Sequence, residues 1–490
     1  MAIEPVESEP QAPVYPQNRF IVLLVILVLL VALVGVAQRM PQPATELGGF
    51  SQETLAGDTA MKLAYAWQRW QSSLPYRPGQ RQQAEVFYAR QRLSAIDSYR
   101  EAVRDNPSPQ TIRRLIIIEY PGKRAPEINR LASLALKNPS KAKEIRAEAA
   151  MWRAIYDSKE PLTPQELSSY SSRIRGLGLG WYQSLALADL YDRAGMTKEA
   201  RAAGDQAASM ATHTVLLLLA LLAIVITFGF VGIFVIVWYV NAEKTGRLPA
   251  YDPPQPDNRG LVAGRFLETF VVYLGVVIAT QVVAGAVLAA RAVPPSPKTV
   301  VLATAGVYTL GGVLAAIYLA YRLRAAGWSW KMLGFTSHNP GLDILWGMLG
   351  YAAALPILLI ASLLSQIASR YIPTPSNPIV PLFLQSDTIL QRLLLFGLTI
   401  VAAPFFEEMF FRGVLFHSFQ AKWGVRLGLI LSAVVFASVH PLPVGFLPIF
   451  VLGYVLATLL YRRGSLLPCM VLHAMNNSVA FLALLILMGP

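Results

Sequence analysis

A long uncharged run constrains the fold of this chain more than any other feature. Residues 214–240 contain no Asp, Glu, Lys or Arg, and about 20 apolar residues suffice for a helix to cross a membrane. Hydrophobic residues make up 54% of the chain and charged residues only 14%, whereas a soluble domain carries about 25% charged residues. The chain is therefore predicted to be a polytopic membrane protein.

The same length criterion predicts about nine spans in an all-α transmembrane bundle. They lie near 20–37, 214–240, 266–290, 299–321, 341–364, 393–416, 427–445, 447–461 and 466–488. The run at 447–461 is short and flanked by prolines. The first run has signal-peptide features, but an acidic, Pro-rich stretch with one base, Arg19, precedes it. This favours an uncleaved anchor at 20–38.

The basic connections between predicted spans indicate the orientation. Lys and Arg occur in 241–265, 322–340, 412–426 and 462–464, and with nine spans all four connections fall on one side. Basic loops accumulate on the cytoplasmic side, so we expect the tail 1–19 inside and 41–212 outside. The net charge of +13 is spread over loops and soluble helices, interleaved with acids, and no nucleic-acid partner is expected.

Residues 41–212 read as a soluble α-helical domain inserted after the first span. Ser108-Pro109 and Thr163-Pro164 are typical helix starts. Residues 187–207 resemble half of a tetratricopeptide unit, and a plain helical bundle explains them equally well. The sequence indicates no ligand for this domain and leaves its protein partner unknown. A second span at 214–240 and a Pro-rich linker at 241–265 lead to the membrane domain 266–490, in which Pro-rich 365–391 is a candidate re-entrant segment. The single cysteine, Cys469, excludes an intrachain disulfide.

Ionisable residues inside the last spans carry the candidate chemistry. A charge at the centre of a span costs about 2.5–3.5 kcal/mol on insertion scales, so it needs a partner or a task. Glu408 precedes Arg412 by four residues, the favourable order for an ion pair on one helical face. Glu407 then remains uncompensated and is suited to act as a general base.

Two further pairs lie at helical spacing in later spans. Phe436 and His440 are one turn apart, as are His473 and Asn477. Glu407 and His440 lie at equal distances along the chain from the basic turn at 423–424, so they can face each other across a helical hairpin. His473 follows the Arg462-Arg463 turn by about 15 Å of helix. We therefore expect all these residues to meet within the membrane.

A carboxylate, two imidazoles and an amide together suit hydrolysis, by either of two routes. In one, Glu407 and His440 activate a water while His473 and Asn477 stabilise the oxyanion. In the other, Glu407, His440 and His473 hold Zn²⁺ with an open position for water. The sequence permits both.

The three motifs EExxxR, FxxxH and HxxxN, in that order, resemble the CPBP family (CAAX protease and bacteriocin-processing, also called Abi) of intramembrane proteases. The resemblance covers about 260–490 and includes the LGF motif at 333–335. It implies a helical bundle with a cavity open to one membrane face. By motif position, Glu407 looks like the water-activating glutamate and Glu408 and Arg412 its orienting pair. His440 looks like its partner, and His473 with Asn477 like the oxyanion side.

The resemblance favours an endopeptidase that cleaves a membrane-associated peptide or lipid-modified protein, with CAAX processing as one case, in a bacterial plasma membrane. The family is widely labelled metalloprotease, while some related members are described as glutamate-type proteases, so zinc stays open. The alternative is a non-catalytic scaffold or bacteriocin-immunity protein, in which the same polar residues only stabilise the bundle.

Overall fold

The computed structural model of this chain is all-α in the part that it describes. Contacts divide the chain into two compact units: 1–43 with 224–377 and 386–480, called here the membrane unit, and 44–223 with 378–385 and 481–490, called the helical domain. The described residues are 15–37, 52–73, 80–105, 107–137, 139–248, 258–290, 296–337, 339–369, 371, 382–383, 386, 388–440 and 444–489.

The helical domain is built from α2 to α8 and the start of α9. The bounds are α2 Gln52–Ser73, α3 Gln80–Asp105, α4 Pro109–Ile118, α5 Ala125–Lys137, α6 Ala142–Tyr156, α7 Pro164–Gly176, α8 Tyr182–Arg193 and α9 Thr197–Lys244. As predicted, Ser108 caps α4, and Thr163 forms a reciprocal capping box with Glu166 on α7.

The tetratricopeptide interpretation of this domain finds no support. Such arrays repeat a pair of similar helices every 34 residues or so. Here the helices range from 10 residues in α4 to 26 in α3, so no such period is present among the described helices. A single core, with Ile112, Leu115 and Trp152 fully buried, joins them instead. The described helices fit the plain helical bundle that the sequence also permitted.

The membrane unit contains the apolar helices. They are α1 Gln17–Ala37, the second part of α9, α10 Arg259–Ala289, α11 Pro297–Ala325, α12 Pro340–Ala368, α13 Ile389–Trp423, α14 Val425–Ser438, α15 Phe446–Arg463 and α16 Leu467–Met488, of which the part from 481 onward belongs to the helical domain. Both α9 and α10 extend into the predicted linker 241–265, whose centre, 249–257, lies outside the described residues. The predicted re-entrant segment 365–391 also lies largely outside them.

Eight of these helices are long and apolar enough to cross a membrane, which identifies a multi-pass integral membrane protein but not the nine full spans predicted. The exception is α14, with 14 residues, or about 21 Å of the roughly 30 Å required. Hydropathy predicted 427–445 as one span, although this run contains Pro441 and Pro443. A residue before proline is disfavoured in a helix, and α14 ends at Ser438.

Ends of several helices meet at one side of the membrane unit. There Arg463 at the end of α15 pairs with Asp343 at the start of α12, with an N–O distance of 2.7 Å. Arg322 near the end of α11 pairs with Glu268 on α10 at 2.9 Å. The backbone N–H of Leu466 donates to Gly334 of the LGF motif, at 2.9 Å. We call this side the basic end, and its cytoplasmic orientation stays a prediction.

Candidate active site

Three of the predicted site residues come from the irregular helix α13. It begins with a capping box between Thr388 and Gln391 and contains two π-helical segments, Gly397–Ala402 and Glu408–Phe416. Pro404, between them, has no N–H to donate to the helical ladder. Such π-helical turns are rare and recur at functional sites. Arg412 lies inside this helix and is buried, so the prediction that placed it among the loop charges of 412–426 was wrong.

Glu408, Arg412 and His473 form a buried polar cluster. The Arg412 Nη1 donates to Oε1 of Glu408 at 3.1 Å, the predicted i,i+4 pair, and the two side chains are 2% and 0% exposed. Nδ1 of His473 lies 2.7 Å from the same oxygen. The Arg412 guanidinium also lies over the Phe436 ring, 4.1 Å from its centroid. Each charge is therefore paired, as a buried ion requires.

Glu407 is the more accessible of the two adjacent carboxylates. Its side chain is 16% exposed, and its Oε2 faces Nε2 of His473 at 3.9 Å. The Tyr308 hydroxyl donates to Oε1 at 2.9 Å. Oε2 has no hydrogen-bond partner among the described residues. One oxygen of Glu407 is thus fixed by α11, while the other is free to accept a proton.

His440 follows the short helix α14, and its ring is oriented by that helix. Nδ1 lies 2.6 Å from the Phe436 carbonyl oxygen, and since a carbonyl only accepts, Nδ1 carries the hydrogen. In a neutral ring Nε2 is then an acceptor. His440 lies within electrostatic range of Glu407, but the described residues record no hydrogen bond between the two side chains. Their predicted partnership in holding a water therefore stays a prediction.

Asn477 lies one helical turn after His473 on α16 and contacts α13. Its Nδ2 donates to the Thr399 carbonyl at 2.8 Å, inside the first π-helical segment. A side-chain amide carries two N–H groups, so this bond leaves the second one for another acceptor. The contact holds α16 against α13 about two turns before Glu407. The oxyanion role predicted for Asn477 is compatible with it but stays a prediction.

The structure thus joins Glu407, Glu408, Arg412 and His473 in one contact network, with His440 and Asn477 beside it. Sequence reasoning missed Tyr308, which lies 99 positions before Glu407. A polar aromatic residue in the middle of an apolar run was the available signal, but nothing in the sequence indicates which residue it meets.

The zinc hypothesis can be compared with these positions. In metal sites a ligating His usually donates its other nitrogen to a carboxylate or a carbonyl, as His473 and His440 do through Nδ1. However, no three His, Cys, Asp or Glu side chains of the described residues are grouped so that they could hold a metal ion. The residues as they lie do not fit a three-ligand zinc site, and no step below is routed through a metal.

One family model matches this chain. Residues 389–479 match the type II CAAX prenyl endopeptidase Rce1-like family, so α13, α14, α15 and the first part of α16 form a domain of that family. No curated protein and no solved structure is similar enough to count as a match. The match confirms the family predicted from the motifs, over a shorter segment than 260–490.

Proposed function

We propose that the membrane unit is an intramembrane endopeptidase in which Glu407 activates the attacking water. The observation that carries this proposal is the position of His473 between two carboxylates, 2.7 Å from Glu408 and 3.9 Å from Glu407. The first distance is a hydrogen bond, whereas the second is too long for one and suits two groups that share a water. The family match supports the same chemistry.

The hydrogen-bond pattern assigns a state to each group. Arg412 donates to Oε1 of Glu408, and we assign Nδ1–H of His473 as the second donor to that oxygen. In a neutral ring, Nε2 of His473 is then an acceptor that faces Oε2 of Glu407. A carboxylate that orients a histidine in this way is the arrangement of serine hydrolase triads. A water between these two acceptors would donate both hydrogens and present its lone pairs to a peptide carbonyl.

The reaction proceeds by addition and elimination. Glu407 takes a proton as the water oxygen bonds to the carbonyl carbon, and a tetrahedral oxyanion forms. The second N–H of Asn477 is the available neutral donor for this oxyanion. When the C–N bond breaks, protonated Glu407 gives the proton to the departing nitrogen, and the products are a carboxylic acid and an amine. This assignment differs from the expectation that His473 donates to the oxyanion, because a neutral His473 has its hydrogen on Nδ1.

The substrate class follows from the family and from the depth of the site. His473 lies six residues after the start of α16, or about 9 Å along the helix from the basic end. If that end faces the cytoplasm, the site opens inward. We propose a membrane-associated peptide as substrate, either a lipid-modified CAAX-type C-terminus or a membrane-inserted segment, in a bacterial plasma membrane.

The alternative is a scaffold or bacteriocin-immunity protein in which these residues are purely structural. A structural carboxylate in a membrane is expected to be paired with a cation, as Glu408 is with Arg412. Both Glu407 and Glu408 have an Oε2 without a hydrogen-bond partner among the described residues, but Glu408 is 0% exposed, whereas Glu407 pairs with no Lys or Arg among those residues and its side chain is 16% exposed. This unbalanced, partly exposed carboxylate favours catalysis over the scaffold.

The experiment is cleavage of two probes by the purified protein in lipid nanodiscs. One probe is a fluorogenic peptide with a C-terminal prenylated CAAX sequence, and the other is an unprenylated transmembrane peptide. We expect wild type to cleave at least one, and Glu407→Ala, His440→Ala and His473→Ala each to lose that activity. Retained activity in all three variants at normal thermal stability would refute the protease proposal.

A further inference from the structure

Tyr308 has no role in the motifs of the family, and it lies on α11, outside the matched segment 389–479. Its hydroxyl donates to Oε1 of Glu407 at 2.9 Å. We propose that Tyr308 is a positioning residue, which holds the Glu407 carboxylate so that Oε2 stays directed at His473. The inference rests on the proposed function, since the purpose of this position is water activation by Glu407.

The Glu407 side chain needs such a restraint more than its neighbour does. Oε1 of Glu408 is held by two groups, Arg412 and His473. For Glu407, the Tyr308 hydroxyl is the only hydrogen-bond donor recorded among the described residues. A glutamate has three rotatable side-chain bonds, so without this bond the carboxylate would sample several orientations. A displacement of about 1 Å in a catalytic group can cost 10²-fold in rate.

The Tyr308 hydroxyl differs from other hydroxyls of the membrane helices in the acceptor to which it donates. Thr280 and Thr399 each donate to a carbonyl one turn earlier in their own helix. Tyr308 instead reaches across from α11 to a carboxylate on α13. Its hydroxyl has a single hydrogen to donate, and that hydrogen is committed to Glu407.

A glycine one turn further along α11 sets the distance of this contact. A Cβ on Gly312 would lie 2.7 Å from the ring of Phe406, the residue that precedes Glu407. Residues four apart share one helical face, so the close approach at Gly312 also brings Tyr308 toward α13. Gly306 lies on the same helix, and a Cβ added there would meet nothing within 4 Å, which makes it a matched control.

The first test is Tyr308→Phe in the nanodisc assay with the prenylated CAAX peptide. We expect kcat to fall about 10- to 100-fold, by misplacement of the carboxylate, with KM within about twofold of wild type. Tyr351→Phe, which removes the hydroxyl of another tyrosine buried in the membrane unit, should leave kcat unchanged. A kcat for Tyr308→Phe equal to that of wild type would overturn the inference.

The second test is the glycine pair. Gly312→Val should lower kcat as Tyr308→Phe does, because the added side chain forces α11 away from Phe406, whereas Gly306→Val should not. In the Tyr308→Phe background, Gly312→Val should cause little further loss of kcat. Fully additive losses would mean that Gly312 does not act through Tyr308, and would count against the inference.

A double-mutant cycle separates this inference from the proposed function. Thermal midpoints of wild type, Tyr308→Phe, Glu407→Ala and the double variant need no substrate, and because each single substitution removes the hydrogen bond we expect the two to be coupled rather than additive. Additive midpoints would overturn the contact itself. If wild type cleaves neither probe, the proposed function fails. A different result separates the two claims: wild type cleaves a probe, Glu407→Gln is inactive and Tyr308→Phe keeps full activity. In that case only the inference on Tyr308 fails.

Discussion

Nδ1 of His473 lies 2.7 Å from Oε1 of Glu408. The same imidazole presents its other nitrogen to Glu407 at 3.9 Å. The ring is therefore hydrogen-bonded to Glu408 but lies beyond hydrogen-bond distance of Glu407, the adjacent carboxylate of the same helix. Each carboxylate has an Oε2 without a hydrogen-bond partner among the described residues, but Glu408 is fully buried and paired with Arg412, whereas Glu407 is 16% exposed and pairs with no Lys or Arg among those residues. Removal of each carboxylate should therefore have a different consequence.

Glu408→Gln should destabilise the protein. Arg412 is 2% exposed, and the loss of its counter-charge leaves a buried cation that costs about 3–5 kcal/mol. The measurement is the thermal midpoint in detergent. Glu268→Gln is the matched control, because its pair with Arg322 is about one-third exposed and is expected to contribute no more than about 1 kcal/mol. Equal midpoints for the two variants would contradict a structural role for Glu408.

His440→Asn should lower kcat without loss of stability. An asparagine amide can still donate to the Phe436 carbonyl, as Nδ1 of His440 does at 2.6 Å, but it has no group at the position of Nε2. If Nε2 of His440 assists Glu407 in activating the water, as the sequence predicts, its loss typically costs 10²–10⁴-fold. Steady-state kinetics with a parallel melting curve test this. A variant that keeps full activity would show that Nε2 takes no part in the reaction.

If Glu407 activates the water as a general base, as proposed, metal removal should leave the activity unchanged. The test is activity after dialysis against a chelator, together with metal analysis of wild type and His440→Ala. Stoichiometric zinc in wild type that is lost in His440→Ala would establish the zinc route instead.

The stability of the helical domain should rise with pH in an alkaline window because of Lys62 on α2. Its Nζ donates to the carbonyls of Leu487 and Gly489 at 2.9 and 2.8 Å, and burial, opposed by Asp58, lowers its pKa from 10.5 to about 8. Between these values the unfolded chain holds a proton that the folded lysine has released. Because the unfolded state binds more protons there, stability increases with pH.

The measurement for Lys62 is the thermal midpoint of wild type minus that of Lys62→Met, from pH 7 to pH 10. This difference in thermal midpoint should be constant below about pH 8 and should increase above it. Lys198→Met, at an exposed position of the same domain, should show no such trend. A difference that falls as the pH rises through 8 would contradict the burial of Lys62.

Local patterns in the sequence predicted the parts of the fold that depend on local physics. Thr163 and Glu166 form their capping box because both partners lie within one turn, and Glu408 meets Arg412 because four residues separate them on a helix. The order of the three motifs likewise identified the family that matches residues 389–479. Hydropathy located the apolar helices but misjudged α14, since the average over a window ignores the stop that Pro441 imposes.

Contacts between distant residues could not be predicted in this way. Tyr308 and Glu407 are separated by 99 positions and Lys62 and Leu487 by 425, and no periodicity connects them. The π-helical segments of α13 have no sequence pattern that distinguishes them from α-helix. The relation of His473 to both carboxylates depends on that local geometry. The sequence therefore predicted that His473 meets the adjacent carboxylates of α13, but neither the Tyr308 contact nor which oxygen each nitrogen faces.

The most direct test of the account is the ratio of kcat/KM between wild type and Glu407→Gln for a peptide that wild type cleaves in nanodiscs. Glutamine has the size of glutamate and can accept from Tyr308, but it cannot take a proton from water. We predict a fall of at least about 10³-fold with a thermal midpoint close to that of wild type. Activity of Glu407→Gln within about threefold of wild type would contradict the claim that this carboxylate activates the water.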